Sequence, residues 1–278
     1  MSRLHATWNA ARGLLLLTLA ACGNQSSGGA LPDRPSIDLS RTTLVDLTHA
    51  LDSATLFWPT SPTGFHLERL AYGMTPGGWF YSSNAFSLPE HGGTHLDAPI
   101  HFAEGKRTAD EIPLRQLVAP AVVIDIRDSA AQNPDYRLSA SDVAAFERRY
   151  GTIPAGTIVL LRTGWDRRWP DRKAYFGDDT PGDATRLHFP SYGEEAARVL
   201  VTERKVGALG VDVASIDYGQ SQDFMVHRVA AAADVAGLEN LEGLDQVPAT
   251  GAWVVALPMK IRGGSGGPVR VMALIPGR

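Results

Sequence analysis

Apolar residues along this chain gather in short runs, rich in Val, Ile and Leu or in aromatics, with Gly- and Pro-rich stretches between them. Such runs predict strands over residues 43–48, 80–88, 121–127, 157–162, 208–213, 253–257 and 269–275. Helical spacing stands out in two places. Residues 139–150 open with Ser139 and carry an apolar stripe at Val143 and Phe146. Ser191 and Glu194 form a capping-box pair in front of a second helix expected over 196–205. No internal repeat occurs at solenoid periods. The mixture predicts an α/β or α+β fold with a mainly β core, and no Gly-rich strand-to-helix turn suits a dinucleotide or a phosphate loop. The glycine-dense stretch 263–268 joins two strand candidates. It reads either as a tight β connection or as backbone N–H groups set beside a substrate carbonyl or anion.

Composition then narrows the class. The 278 residues are 44% hydrophobic and 20% charged, enough for a substantial core. A formal charge of −4, with no Lys/Arg cluster, argues against a nucleic-acid partner. At the N-terminus, Arg3 and Arg12 flank a short apolar run, 13–21, built like a secretory signal peptide and too short to span a bilayer. The run ends Leu19-Ala20-Ala21-Cys22-Gly23, which resembles a bacterial lipobox, and Cys22 is the single cysteine. The expected organisation is a signal peptide over 1–21, a flexible tether over 22–36 and one domain over 37–278. Lipid on Cys22 would anchor the protein in the cell envelope, on the periplasmic side and at the outer membrane by family sorting rules. With no second cysteine, an intrachain disulfide is excluded.

The candidate chemistry lies in His91-Gly92-Gly93-Thr94-His95-Leu96-Asp97-Ala98-Pro99-Ile100-His101. Three of the eight His and one Asp sit within it, all at odd positions, so an extended segment would turn them to one side. Gly92, Gly93 and Pro99 disfavour a helix there. Imidazole and carboxylate donors suit zinc, or manganese or iron as the site hardens. Far downstream, His227 and Glu239 say little by themselves.

The segment from His91 to Phe102 resembles the hallmark of the cyclase family, the bacterial-type kynurenine formamidases, which includes isatin hydrolases. The resemblance extends to Asp46-Leu47-Thr48-His49 with Trp58-Pro59, to Gly210-Val211-Asp212 with Ser215-Ile216-Asp217, to His227 with Glu239-Asn240-Leu241, and to 260–268. It implies a swivelling β/β/α fold, usually dimeric or higher. It implies His91, His95, Asp97 and Glu239 around a first metal, with Asp97 and Glu239 bridging to a second held by His227, or else His227 beside the ligands or the substrate. It also implies His101 as proton donor and acceptor, and Trp58 against a substrate ring. The family binds one or two ions, here Zn2+ or Mn2+. Bound at a divalent cation, water ionises near neutral pH, and the hydroxide could attack an amide, formamide or cyclic amide carbon.

Trp79, Phe80 and Tyr81 precede the metal loop and could wall a pocket for an aromatic substrate or pack elsewhere. Asp212 and Asp217 could orient ligand His residues or serve turns, and His49 could belong to the site or to the packing. The leading expectation is an arylformamidase-like or isatin hydrolase-like amidohydrolase acting on a small aromatic or cyclic amide. The rivals are a lactone hydrolase or polyketide-type cyclase, and a non-catalytic lipoprotein that captures metal or ligand.

Overall fold

The protein is described by a computed structural model covering residues 37–277. The expected signal peptide, lipobox and tether lie outside the described residues. Among those residues, no helix is long and apolar enough to cross a membrane.

Twelve strands follow in chain order: β1 Thr42–Asp46, β2 His66–Met74, β3 Phe80–Ser87, β4 His95–Asp97, β5 Val118–Asp125, β6 Arg137–Leu138, β7 Ile158–Arg162, β8 Ser191–Tyr192, β9 Ala208–Val211, β10 Ala236–Glu239, β11 Ala252–Pro258 and β12 Gly266–Pro276. The helices are α1 Leu114–Leu117, α2 Arg127–Gln132, α3 Ala140–Tyr150, α4 Arg172–Phe176, α5 Glu194–Arg198 and α6 Met225–Ala232. One sheet runs β1-β12-β11-β5-β7-β9-β10-β4, and β4 pairs again with β12. Seven of its strands therefore close into a barrel, with β1 attached outside the ring. Strands β5, β7, β9 and β10 are mutually parallel and need crossovers, which carry α2 to α6; the other pairs of this sheet are antiparallel.

Side-chain alternation divides the core in two. Ala119, Ala121 and Val123 of β5, Ile158 and Leu160 of β7, Leu96 of β4 and Leu238 of β10 join the cluster inside the barrel. Their neighbours Val122, Ile124, Val159 and Leu161 join a second cluster with Val143 and Phe146 of α3, Ala196 and Ala197 of α5 and Val226 of α6. The period of two sorts each strand between a barrel interior and a layer under helices. On β4, the same alternation that buries Leu96 inside turns His95 and Asp97 outward.

Two expectations change. The second helix is α5 followed by a π-helical turn over Val199–Glu203, and its N-cap is Gly193. Ser191 is no capping residue: it is fully buried in β8, and its hydroxyl bonds to the carbonyls of Ser215 and Ile216. The helix begins at Glu194, two residues before the expected 196, and Gly193 caps it because the Ser191 hydroxyl already has buried acceptors. The first helix does open on a capping box, Ser139 with Asp142.

Candidate metal centre

Local folding brings the distant segments together. Strand β4 pairs antiparallel with β10, placing His95 opposite Glu239 and Asp97 opposite Gly237. On its other edge β4 pairs with β12, placing Asp97 opposite Gly266. A Cβ on Gly266 would strike the Leu96 carbonyl and come within 2.7 Å of the His91 ring, so a glycine there makes room for that imidazole. The stretch 263–268 is thus a β connection. Its Ser265 N–H donates to the Glu90 carboxylate, and its glycines do not line the site cavity. Helix α6 supplies His227 from the crossover between β9 and β10.

The distances are short. Asp97 Oδ1 lies 2.6 Å from His91 Nδ1 and 3.2 Å from His95 Nε2, and Asp97 Oδ2 lies 3.1 Å from His227 Nε2. Glu239 stands 3.1 Å from His227 Nε2 and 3.5 Å from His95 Nε2. His95, Asp97, His227 and Glu239 are all buried.

Counting donors assigns the ring protons. The Ser265 hydroxyl donates its hydrogen to Glu90, at 2.6 Å, so it accepts from His91 Nε2–H at 2.8 Å. His95 Nδ1–H donates to the Gly93 carbonyl at 3.0 Å. His227 Nδ1–H donates to Asp217 at 2.7 Å. Each imidazole commits its N–H outward; the remaining lone pairs of His95 and His227 face both Asp97 and Glu239, and that of His91 faces Asp97. Five acceptors then face one another with no hydrogen between them, an arrangement that a cation relieves.

The electrostatics make the same demand. Burial alone would lower the pKa of His95, yet Asp97 and Glu239 outweigh it and push it up to about 9. His227 rises likewise against burial, through Asp217, Asp97 and Glu239. Burial and the neighbouring Asp97 raise Glu239. Without a cation these carboxylates draw protons onto the imidazoles. A divalent ion supplies that positive charge instead, so the residues fit the metal.

Above this cluster opens a cavity of about 340 Å³, walled by Phe57, Trp58, Phe102, Phe176 and Phe224. Gly92 lets it form, because a Cβ there would run into the Phe57 ring. Trp58 meets Phe176, Phe189 and Phe224 edge-on. His101, in a 3-10 turn over Pro99–His101, lines the cavity exposed at its edge and stacks on His91 with ring centroids 3.8 Å apart. Partial burial and the neighbouring imidazoles hold His101 below its ordinary pKa.

The remaining candidates separate. Asp217 does hold a ligand candidate, His227. Asp212 instead accepts from Thr163 N–H, Thr163 Oγ and Gly164 N–H, which ties down the end of β7. His49 packs against Trp169, rings 4.2 Å apart, with Nδ1 3.0 Å from Glu242, and does not line the cavity. Trp79 and Phe80, expected as pocket wall, lie apart from this cavity in the single chain. Both sit on the β2–β3 hairpin, 63% and 55% exposed, and neither lines the cavity, because the hairpin pairs only with itself. Phe57, Phe102, Phe176 and Phe224 form the wall with Trp58; in sequence Phe57, Phe102 and Phe224 are aromatics beside a motif, and Phe176 lies near none.

A family model described as "Putative cyclase" matches residues 45–218. The chain belongs to the cyclase family. It is 36% identical over 207 residues to the isatin hydrolase of Roseibium aggregatum, covering 72% of this chain and 77% of that one. It is 29% identical over 233 residues to the kynurenine formamidase of Salinibacter ruber, covering 82% and 96%. The solved isatin hydrolase A from Ralstonia solanacearum superposes with a TM-score of 0.77 at 35% identity, covering 85% of this chain and 93% of that one. The expected mixed α/β fold with a mainly β core is the fold of that neighbour.

Proposed function

We propose that this cyclase-family chain, a metal-dependent hydrolase of amide C–N bonds, opens a flat aromatic amide, formamide or ring-closed amide at the cation held by His91, His95, Asp97, His227 and Glu239. The observation that carries this reading is the set of three imidazole lone pairs turned onto two buried carboxylates. A bound divalent cation supplies acidified water and polarises the carbonyl under attack. Nitrogen and oxygen donors without thiolate favour Zn2+ or Mn2+, one or two per chain, with Asp97 and Glu239 able to face both positions.

The chain's own residues do the rest. His101, neutral at pH 7, accepts a proton at the cavity edge and returns it to the leaving nitrogen. Trp58, Phe102 and Phe224 hold a planar ring by edge and face contacts and keep bulk water away from the reacting carbonyl. Amide hydrolysis by the isatin hydrolase and kynurenine formamidase relatives supports the bond type. The test is a panel of isatin, N-formylkynurenine, a dihydropyrimidine and an aryl lactone. Faster turnover of an amide than of the lactone is expected. A preference for the lactone contradicts the bond assignment, and tight metal uptake with no turnover of any member contradicts catalysis.

We also propose that the protein self-associates through the β2–β3 hairpin. Leu67, Leu70, Tyr72, Met74, Trp79 and Phe80 are all more than half exposed on it, and a lone two-stranded hairpin is marginal in water. Light scattering of W79S/F80S should show a smaller species than the parent; equal masses contradict the arm. Lipid on Cys22 after export is supported by the Leu19-to-Gly23 sequence. Cys22→Ser should release the protein from membranes, and unchanged fractionation contradicts the anchor.

A further inference from the structure

We infer that Asn240, backed by Tyr175, is a positioning residue that fixes His95 in the tautomer presenting Nε2 to the cation; the inference rests on the metal reading above. Asn240 follows Glu239 directly and is buried, with φ +53° in the left-handed region. Its side chain touches no metal-facing atom of the cluster. It acts through the Gly93 carbonyl.

That carbonyl accepts from His95 Nδ1 at 3.0 Å and from Asn240 Nδ2 at 2.8 Å. Both lone pairs are thereby used, and the oxygen is held where the imidazole must donate to it. The amide cannot turn over, because Oδ1 would then face the Gly93 oxygen. Its orientation is set from the other side by the Tyr175 hydroxyl, which donates to Oδ1 at 2.9 Å. Tyr175 is fully buried, and burial with the nearby carboxylates Asp212, Asp166 and Glu239 holds its phenol well above the usual range, so it stays a donor. The backbone is clamped as well: the Asn240 carbonyl accepts from Thr94 Oγ at 2.6 Å, and its N–H donates to Val213 at 2.9 Å.

If His95 carried its proton on Nε2, Nδ1 would oppose the Gly93 oxygen, and a hydrogen would stand where the cation belongs. Glycine is the ordinary residue for a left-handed position, so the turn by itself does not call for asparagine. The donor-and-acceptor amide does. One side chain thus joins the segment of Glu239 to the loop that carries His91 and leads into His95, and braces both against α4.

The deciding variants are Asn240→Gly, which keeps the turn and deletes the amide, and Asn240→Asp, near-isosteric, which sets an acceptor against the Gly93 oxygen. Chelator competition with Zn2+ and Co2+ should show affinity reduced about 10- to 100-fold in both. The d–d absorption of the Co2+ form should shift, while the metal-free proteins melt close to wild type. Tyr175→Phe should shift affinity the same way by less. Wild-type affinity and an unaltered cobalt spectrum in Asn240→Gly overturn the inference. Should Asn240→Gly not fold, the same two readouts on Asn240→Asp decide it. No ion uptake by the wild-type protein overturns the metal reading itself, which is a separate and recognisable result.

Discussion

His101 and His95 are the same residue type and line the same cavity, but their environments differ. His95 gives its N–H to a backbone carbonyl and faces Asp97 and Glu239 with its lone pair. His101 stacks on His91, meets Phe102 and His227 edge-on, has a ring nitrogen within 4.8 Å of an Asp97 oxygen, and opens to the cavity. A group so placed can move a proton without giving up a ligand. His101→Ala should therefore keep its metal content by elemental assay and lower kcat by about 100- to 10,000-fold. Unchanged turnover would remove His101 from the reaction, and loss of the metal would make it a ligand.

At the scale of elements, the site is the seam where β4 lies between β10 and β12. That seam depends on Gly266, whose missing Cβ leaves space beside the Leu96 carbonyl and the His91 ring. Gly266→Ala should displace His91, weaken metal binding in chelator competition and lower the melting temperature; wild-type values in both would mean the seam yields freely. Part of this was legible beforehand. Alternation placed His95 and Asp97 on one face because β4 is extended there, while His91 stands in the preceding loop and His101 in a 3-10 turn. Strand β10, which carries Glu239, was not predicted, since Ala236-Gly237-Leu238-Glu239 has neither length nor β-branched residues to announce it. Its pairing with β4 follows from barrel closure, a property of the whole chain. Strand β2 was missed too, because its apolar residues face solvent and leave no buried stripe. Ser191 and Glu194 had capping spacing, but the carbonyls of Ser215 and Ile216, remote in sequence, took the hydroxyl.

Across the whole molecule, closure of the barrel brings Asp97 against His227, 130 residues further along, so folding and metal binding are coupled. Buried charge elsewhere leaves a pH signature. Burial pushes Asp212 up to about 7, despite its bonds from Thr163 and Gly164. Its folded pKa exceeds the value of about 3.9 expected of an unfolded chain, so the folded state holds the extra proton. The Asp212 contribution is fully present below pH about 4 and is lost as pH rises through about 7. The difference in melting temperature between wild type and Asp212→Asn, both metal-loaded, should move in favour of the variant across that window; parallel profiles would contradict it. The proposed hydrolysis depends on one metal cluster assembled from two distant stretches. Its most direct measurement is the turnover of isatin by chelator-stripped protein before and after stoichiometric Zn2+ or Mn2+ is returned. Activity should be lost on stripping and restored on reloading, and undiminished turnover by verified metal-free protein would contradict the metal's role.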